Sequence, residues 1–172
     1  MNEYSLDDID LCLLDALQTD ASRSNLALAQ HCQVSPATAL RRVQALRTRG
    51  LIERQVALLQ PERLAQAVGH GLTALVEISL DRQGAEHLDA FERFIVPQAE
   101  VQQCYRVSPG PDFLLVLAVR DMADYQAAAQ RLFTQQANVR NVKAFFSVKR
   151  AKFAPAEPLP ASTTRGKSPT GA

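Results

Sequence analysis

The spacing of the apolar residues changes at Gly71, and that change constrains the fold more than any other feature of the chain. From Leu6 to Gly50 the spacing is helical: Leu6, Ile9, Leu13, Ala16 and Leu17 recur at steps of three and four. Asp7, Asp8 and Asp10 sit where the first turn of such a helix favours negative charge. After a break at Thr19–Ser22, Ser24 is placed to cap a second, short helix carrying Leu26 and Ala29. Cys32-Gln33-Val34 then leads to a third helix opening at Ser35. Leu51 to Leu59 reads as a small strand pair, and Pro61 to Gly71 as a linker helix ending at glycine.

Beyond Gly71 the period falls to two. Val76, Ile78 and Leu80 alternate with Glu77 and Ser79 in a first strand. Leu88, Phe91, Phe94 and Ile95 share one face of a helix that stops at Pro97. Val101–Ser108 and Phe113–Val119 read as two further strands. Met122, Tyr125, Ala129, Leu132 and Phe133 mark a second helix, and Val142, Ala144, Phe146 and Val148 a last strand. The order β-α-β-β-α-β is the ferredoxin-like split βαβ arrangement. The expected class is therefore α+β. Its parts are a winged helix-turn-helix over residues 5–60, a linker over 61–71 and a ferredoxin-like domain over 72–153. Pro, Ala, Ser, Thr and Gly dominate 154–172, which reads as a disordered tail.

Composition excludes several functions. Of 172 residues, 47% are hydrophobic and 22% charged, as in an ordinary folded protein. The formal net charge is only +1, so affinity for a polyanion must come from a local patch. Cys12, Cys32 and Cys104 are odd in number, widely spaced and without a C-x-x-C pair. They read as buried, reduced side chains, neither a disulfide frame nor a metal site. The N-terminus is polar and acidic, unlike a signal peptide, and no apolar run nears the roughly 18 residues of a membrane span. A cytoplasmic location follows as an expectation.

The local patch is "SPATALRRVQALRTRGLI", residues 35–52. Ser35 and Pro36 define a sharp helix start. On a helical wheel Pro36, Ala39, Leu40, Val43 and Leu46 gather on the side expected to pack. Ala37, Thr38, Arg41, Ala45 and Thr48 lie opposite, with Arg42 and Arg49 at the margin. Small residues alternate with arginine, so the helix can sit close to base edges while guanidinium groups reach bases or phosphates. Ser35 to Arg54 holds five arginines against the single acid Glu53, whereas Met1 to Val34 holds only Arg23. A solvated basic helix would explain the arginines but not the capped start, the short preceding turn and the small outward residues. The expected partner is double-stranded DNA, contacted by Ser35, Ala37, Thr38, Arg41, Arg42, Arg49 and Arg54, with Arg41 and Arg42 foremost.

These stretches, with "LDDIDLCLLDALQTDASRSNLALA", "VALLQPERL", "LVEISL", "CYRVSPGPDFLLVLAVRDMADY" and "VRNVKAFFSVKR", resemble the leucine-responsive regulatory protein/AsnC family over roughly residues 5–150. The resemblance implies a transcriptional regulator in which a second domain forms dimers and higher assemblies and senses an amino acid or similar small molecule. The chain departs from the family pattern at Gln33, where glycine is usual, and at Arg54-Gln55 in the wing. It departs again at Ser108-Pro109-Gly110-Pro111-Asp112, where Pro109 replaces a glycine. An effector, if one binds, is expected near Ser108, Gly110 and Asp112: turn N–H groups suit a carboxylate and Asp112 an ammonium. A plain rigid hairpin turn explains the same residues.

Two rival classes remain. Sirohaem decarboxylases resemble the same two-domain architecture, so fold alone does not exclude an enzyme. His31, His70 and His87 are scattered over helix, linker and helix, however, and no acid/base or ligand set converges. No catalytic residue, metal or cofactor is expected. A helix-turn-helix used only for protein contacts is the other rival; salt-dependent DNA retention separates the two.

Overall fold

The computed structural model describes residues 5–69 and 71–160. The chain divides after residue 57 and again after residue 152, and the described part of the tail groups with the N-terminal unit. Residues 1–4, His70 and residues 161–172 lie outside the described residues.

Three helices build the first unit: α1 (Asp8–Thr19), α2 (Asn25–His31) and α3 (Pro36–Thr48). Each starts on a side-chain cap. Asp7 accepts from the N–H groups of Ile9 and Asp10, Ser24 from Ala27, and Ser35 from Thr38. Leu13, Ala16, Leu17, Leu28, Ala29, Ala39, Val43 and Leu46 are buried together as one core. The packed arc of α3 centres on Ala39, Val43 and Leu46 and is rotated toward Arg42 relative to the sequence expectation. Leu40, expected inside, is 58% exposed.

The turn from α2 to α3 puts Gln33 at φ +55°. That left-handed conformation crowds the Cβ of any residue but glycine. Asn25 closes the turn from outside, its side-chain amide donating to the Pro36 carbonyl at 2.8 Å. Gln33→Gly is therefore expected to stabilise this unit by up to about 1 kcal/mol, the relief of crowding exceeding the added chain entropy. A denaturant midpoint no higher than wild type would refute it.

Three expectations need correction in this region. Residues 53–60 form no strand, so the paired wing is absent, and Val56, Leu58 and Leu59 are exposed. A short strand pair has too little apolar contact to hold itself together without a surface to lie on. Cys12 and Cys32 are not separate thiols but a disulfide, with Cα atoms 5.8 Å apart. Helix packing, not sequence spacing, brings positions 20 residues apart together. Finally, the tail is not featureless throughout. Residues 153–160 have no helix or strand, but Gln18 and the Glu157 backbone exchange two hydrogen bonds of 3.0 Å.

The second unit begins with α4 (Pro61–Val68), which ends on Gly69 in the left-handed conformation, as the glycine punctuation predicts. Next come β1 (Leu72–Leu80), α5 (Ala85–Ile95), β2 (Val101–Arg106) and β3 (Phe113–Val119). Helix α6 (Met122–Ala129) runs into a wider π turn at Gln130–Thr134, and β4 (Val139–Phe146) closes the unit. The sheet is antiparallel in the order β2-β3-β1-β4, as a ferredoxin-like chain requires. Val76, Ile78, Leu80, Phe113, Leu115 and Leu117 face α5 and the α6 region, burying Phe91, Ile95, Leu132 and Phe133. The last strand stops at Phe146, two residues early, leaving Val148 fully exposed.

Among the described residues of this unit, α5 and the α6 region pack on one face of the sheet, and the opposite face carries exposed apolar side chains. Leu75 pairs with Phe145 across β1 and β4, and Leu114 with Tyr105 across β3 and β2. All four are exposed by 39–54%.

Candidate DNA interface and effector turn

The outward stripe of α3 is Ala37, Leu40, Arg41, Gln44 and Thr48, all exposed. Their spacing of three and four residues sets them on one side, one turn above another. Ser35 caps the helix and its hydroxyl lies 2.9 Å from the Thr38 hydroxyl, so both polar groups sit at the helix N-terminus. Among the expected DNA contacts, Ser35, Ala37, Thr38 and Arg41 thus share one end or face of α3. Arg49 is exposed at the C-terminal cap. Arg54 lies beyond the helix, exposed and 3.6 Å from Glu53.

Arg42 is placed differently from the sequence expectation. Its Nη1 donates to Asp7 Oδ2 at 2.5 Å and to Asp10 Oδ1 at 3.0 Å, both at the start of α1. Its side chain is only 24% exposed, and its Nε is buried without a hydrogen-bond partner. The physical cause is the acidic first turn of α1, which lies across from the rotated edge of α3 and draws the guanidinium inward. The Asp10 N–H, followed by Arg42, holds the Asp7 carboxyl below its ordinary 3.8. Asp7 in turn raises the pKa of Arg42. Arg42 therefore fixes α3 against α1, and Arg41 is left as the arginine of the outward stripe.

Sequence reasoning overlooked three residues here. Leu40 and Gln44 belong to the outward face, and a wheel centred on Ala39, Val43 and Leu46 would have found them. Arg47 donates to Gln55 at 2.7 Å, tying the last turn of α3 to the segment after it.

In the second unit the turn between β2 and β3 brings Ser108, Gly110 and Asp112 together, with a cis Ser108–Pro109 bond and Gly110 at φ +120°. Ser108 and Gly110 are exposed. Asp112 is half-buried and helps to hold the sheet. Its Oδ2 accepts from the Leu80 N–H at 2.6 Å and from the Gln83 amide at 3.3 Å. Its own N–H donates to the Ile78 carbonyl at 2.8 Å. Nearby, Arg106 holds the β2 edge to α5 through Asp89 and Glu92, at 2.7 and 2.6 Å, and lies over the Phe113 ring. His31 is exposed, and His87 is half-buried beside Glu86.

A capped, arginine-bearing helix presented by a three-helix unit, followed by a ferredoxin-like unit, defines a helix-turn-helix DNA-binding protein with a separate sensing domain. Comparison with known proteins agrees in both halves. Residues 6–47 match the AsnC-type helix-turn-helix domain and residues 73–156 the Lrp/AsnC ligand binding domain. A helix-turn-helix transcriptional regulator of Haemophilus influenzae is 35% identical over 142 residues, covering 83% of this chain and 82% of the relative. The Bkd operon transcriptional regulator of Pseudomonas aeruginosa is 34% identical, covering 90% of this chain and 98% of its own. A Neisseria meningitidis transcriptional regulator, solved as a complex with L-Met, superposes with a TM-score of 0.78 at 26% identity, covering 90% and 97%. The chain belongs to the Lrp/AsnC family of transcriptional regulators. Among the described residues no helix is long and apolar enough to cross a membrane.

Proposed function

We propose that this protein is a cytoplasmic, non-catalytic regulator that binds double-stranded DNA as a homodimer or higher assembly and responds to an amino acid or similar small molecule. The carrying observation is the outward stripe of α3, in which Ala37, Leu40, Arg41, Gln44 and Thr48 are exposed together, on a helix whose start is fixed by Ser35 and whose edge is fixed by Arg42. In a major groove, Ala37 permits close approach and Arg41 reaches guanine or phosphate. Gln44 pairs with adenine, and Leu40 packs on a thymine methyl. Arg49 and Arg54, and the Ser35 and Thr38 groups at the N-terminus, serve the backbone.

Arg41→Ala is expected to weaken binding without unfolding the domain. If Arg41 reads a base, discrimination at that position falls by about 1–3 kcal/mol. If it holds a phosphate, all sequences weaken alike and the salt slope flattens by about one counterion. Fluorescence anisotropy across a salt series measures both, and wild-type behaviour in both would remove Arg41 from the interface.

The effector reading rests on the turn of Ser108, Gly110 and Asp112. Exposed backbone at Ser108 and Gly110 suits a carboxylate, and the acidic side chain of Asp112 an ammonium. Because Asp112 also holds the Leu80 N–H, its truncation would disturb the sheet whatever it binds. Asp112→Asn separates the two roles, keeping an acceptor for Leu80 while removing the charge. Calorimetry with a panel of amino acids, methionine among them, should show binding to the wild type and at least a tenfold loss in Asp112→Asn. Equal binding by both would move the site elsewhere.

A further inference from the structure

We propose that the Cys12–Cys32 pair is a thiol–disulfide switch on DNA binding, the bridged form being the one that binds. The inference rests on the DNA-binding reading above. Cys12 lies in α1 and is half-buried; Cys32 is the C-cap of α2 and only 4% exposed. The bridge therefore ties the first helix to the residue immediately before Gln33. Gln33 holds the disfavoured left-handed conformation on which the start of α3 depends. In a cytoplasm that keeps thiols reduced, a bridge of this kind is a responsive element and not a permanent staple.

Opening it has a direct steric consequence. Two thiols need more room than a bonded pair, because a covalent contact becomes a van der Waals one inside a close-packed core. Cys32 is packed in the core directly before Gln33, so any shift of Cys32 passes through the backbone to Gln33 and the α3 N-terminus. Cys12, the less buried residue of the pair, is the point of attack. A thiolate of a dithiol reductant bonds to Cys12 Sγ, the S–S bond breaks, and Cys32 leaves as a thiolate that takes a proton. The second thiolate of the reductant then attacks its own mixed-disulfide sulfur, releasing Cys12 as a thiol and the reductant as a cyclic disulfide. Two electrons pass to the protein, and the reductant's two protons end on Cys12 and Cys32. A low-molecular-weight disulfide reverses the exchange. Cys104, in β2, belongs to the other unit and is half-buried; burial, with Glu92 nearby, pushes its thiol up, so it serves as an internal reference.

The test uses the full chain, purified without reductant, and duplexes enriched from a random-sequence pool by that protein. Denaturing alkylation read by mass should label one cysteine before dithiothreitol and three after it; three before treatment overturns the proposal. Dithiothreitol should weaken binding about five- to tenfold, a coupling of ordinary size, and re-oxidation should restore it. Cys12→Ser and Cys32→Ser should match the reduced wild type and ignore the reductant. If either variant fails to fold, the reversible wild-type titration decides alone. Equal affinity of the two wild-type forms overturns the switch and leaves the DNA-binding reading intact. Failure of both forms to enrich or retain any duplex overturns both.

Discussion

Replacing Leu75 and Phe145 together with aspartate is expected to yield monomers and to cut affinity for a two-half-site DNA by about two to three orders of magnitude. The two side chains are partners across β1 and β4 on the sheet face opposite α5 and α6. Leu114 and Tyr105 extend the apolar surface across β3 and β2, with all four side chains 39–54% exposed. Exposed aliphatic and aromatic side chains on all four strands of one face, with the Glu77–Lys143 pair among them, suit a surface that meets another. A second copy of the same face would supply a self-complementary cover under two-fold symmetry. It would also present two recognition helices to a pseudo-palindromic site, spaced by one or more helical turns. An aspartate at each position forces unpaired charges into that contact, costing several kcal/mol, while an isolated unit would keep its fold. Light scattering at micromolar concentration and anisotropy on paired and single half-sites check it. A double variant that stays dimeric would place the interface elsewhere.

Removing the Arg42 guanidinium should have the larger effect on the first unit itself. Arg42→Ala is expected to destabilise it by about 2–3 kcal/mol, because Asp10 is left nearly buried without its cation. The full cost of breaking a buried pair is reduced here since Asp7 is half-exposed. Arg42→Lys should recover part of the loss, since it keeps the charge but lacks the planar guanidinium that sets the geometry of both contacts. DNA affinity of the folded fraction should change less than in Arg41→Ala, which distinguishes a positioning residue from a contact. The same network gives an acid edge. The Asp7 pKa is lower in the folded state, so its contribution is complete above about 4 and is lost as pH falls through the lower folded value. Asp7→Asn should flatten the pH dependence of the melting temperature in that acid range. A wild-type melting temperature for Arg42→Ala would remove Arg42 from this role.

Much of this architecture was legible in the residues. The shift from helical to alternating spacing at Gly71 marked where the sheet begins, and Ser24 and Ser35 marked two helix starts, because caps and periods are properties of a few adjacent residues. Phe113–Val119 was recognisable as a strand because a short continuous apolar run fits one buried in the sheet. Gln33 stood out where glycine is usual, and the backbone there is indeed left-handed. Other features depended on what lies across from a residue in space. Arg41 and Arg42 are neighbours in sequence and both basic; only the acidic start of α1, about 35 residues earlier, turns one inward and leaves the other out. Cys12 and Cys32 carry no local sign of a partnership, and helix packing alone brings their Cα atoms within 5.8 Å. The wing failed for the converse reason: the short, mixed pattern at Leu51–Leu59 forms no strand among the described residues, because so short a pair is marginal by itself. Asp112 has a partner at the end of β1 that no local pattern announces, since Leu80 is 32 residues away. Local chemistry determined the elements and their order; which polar and sulfur atoms met was decided by tertiary packing, because those partners are distant in the chain.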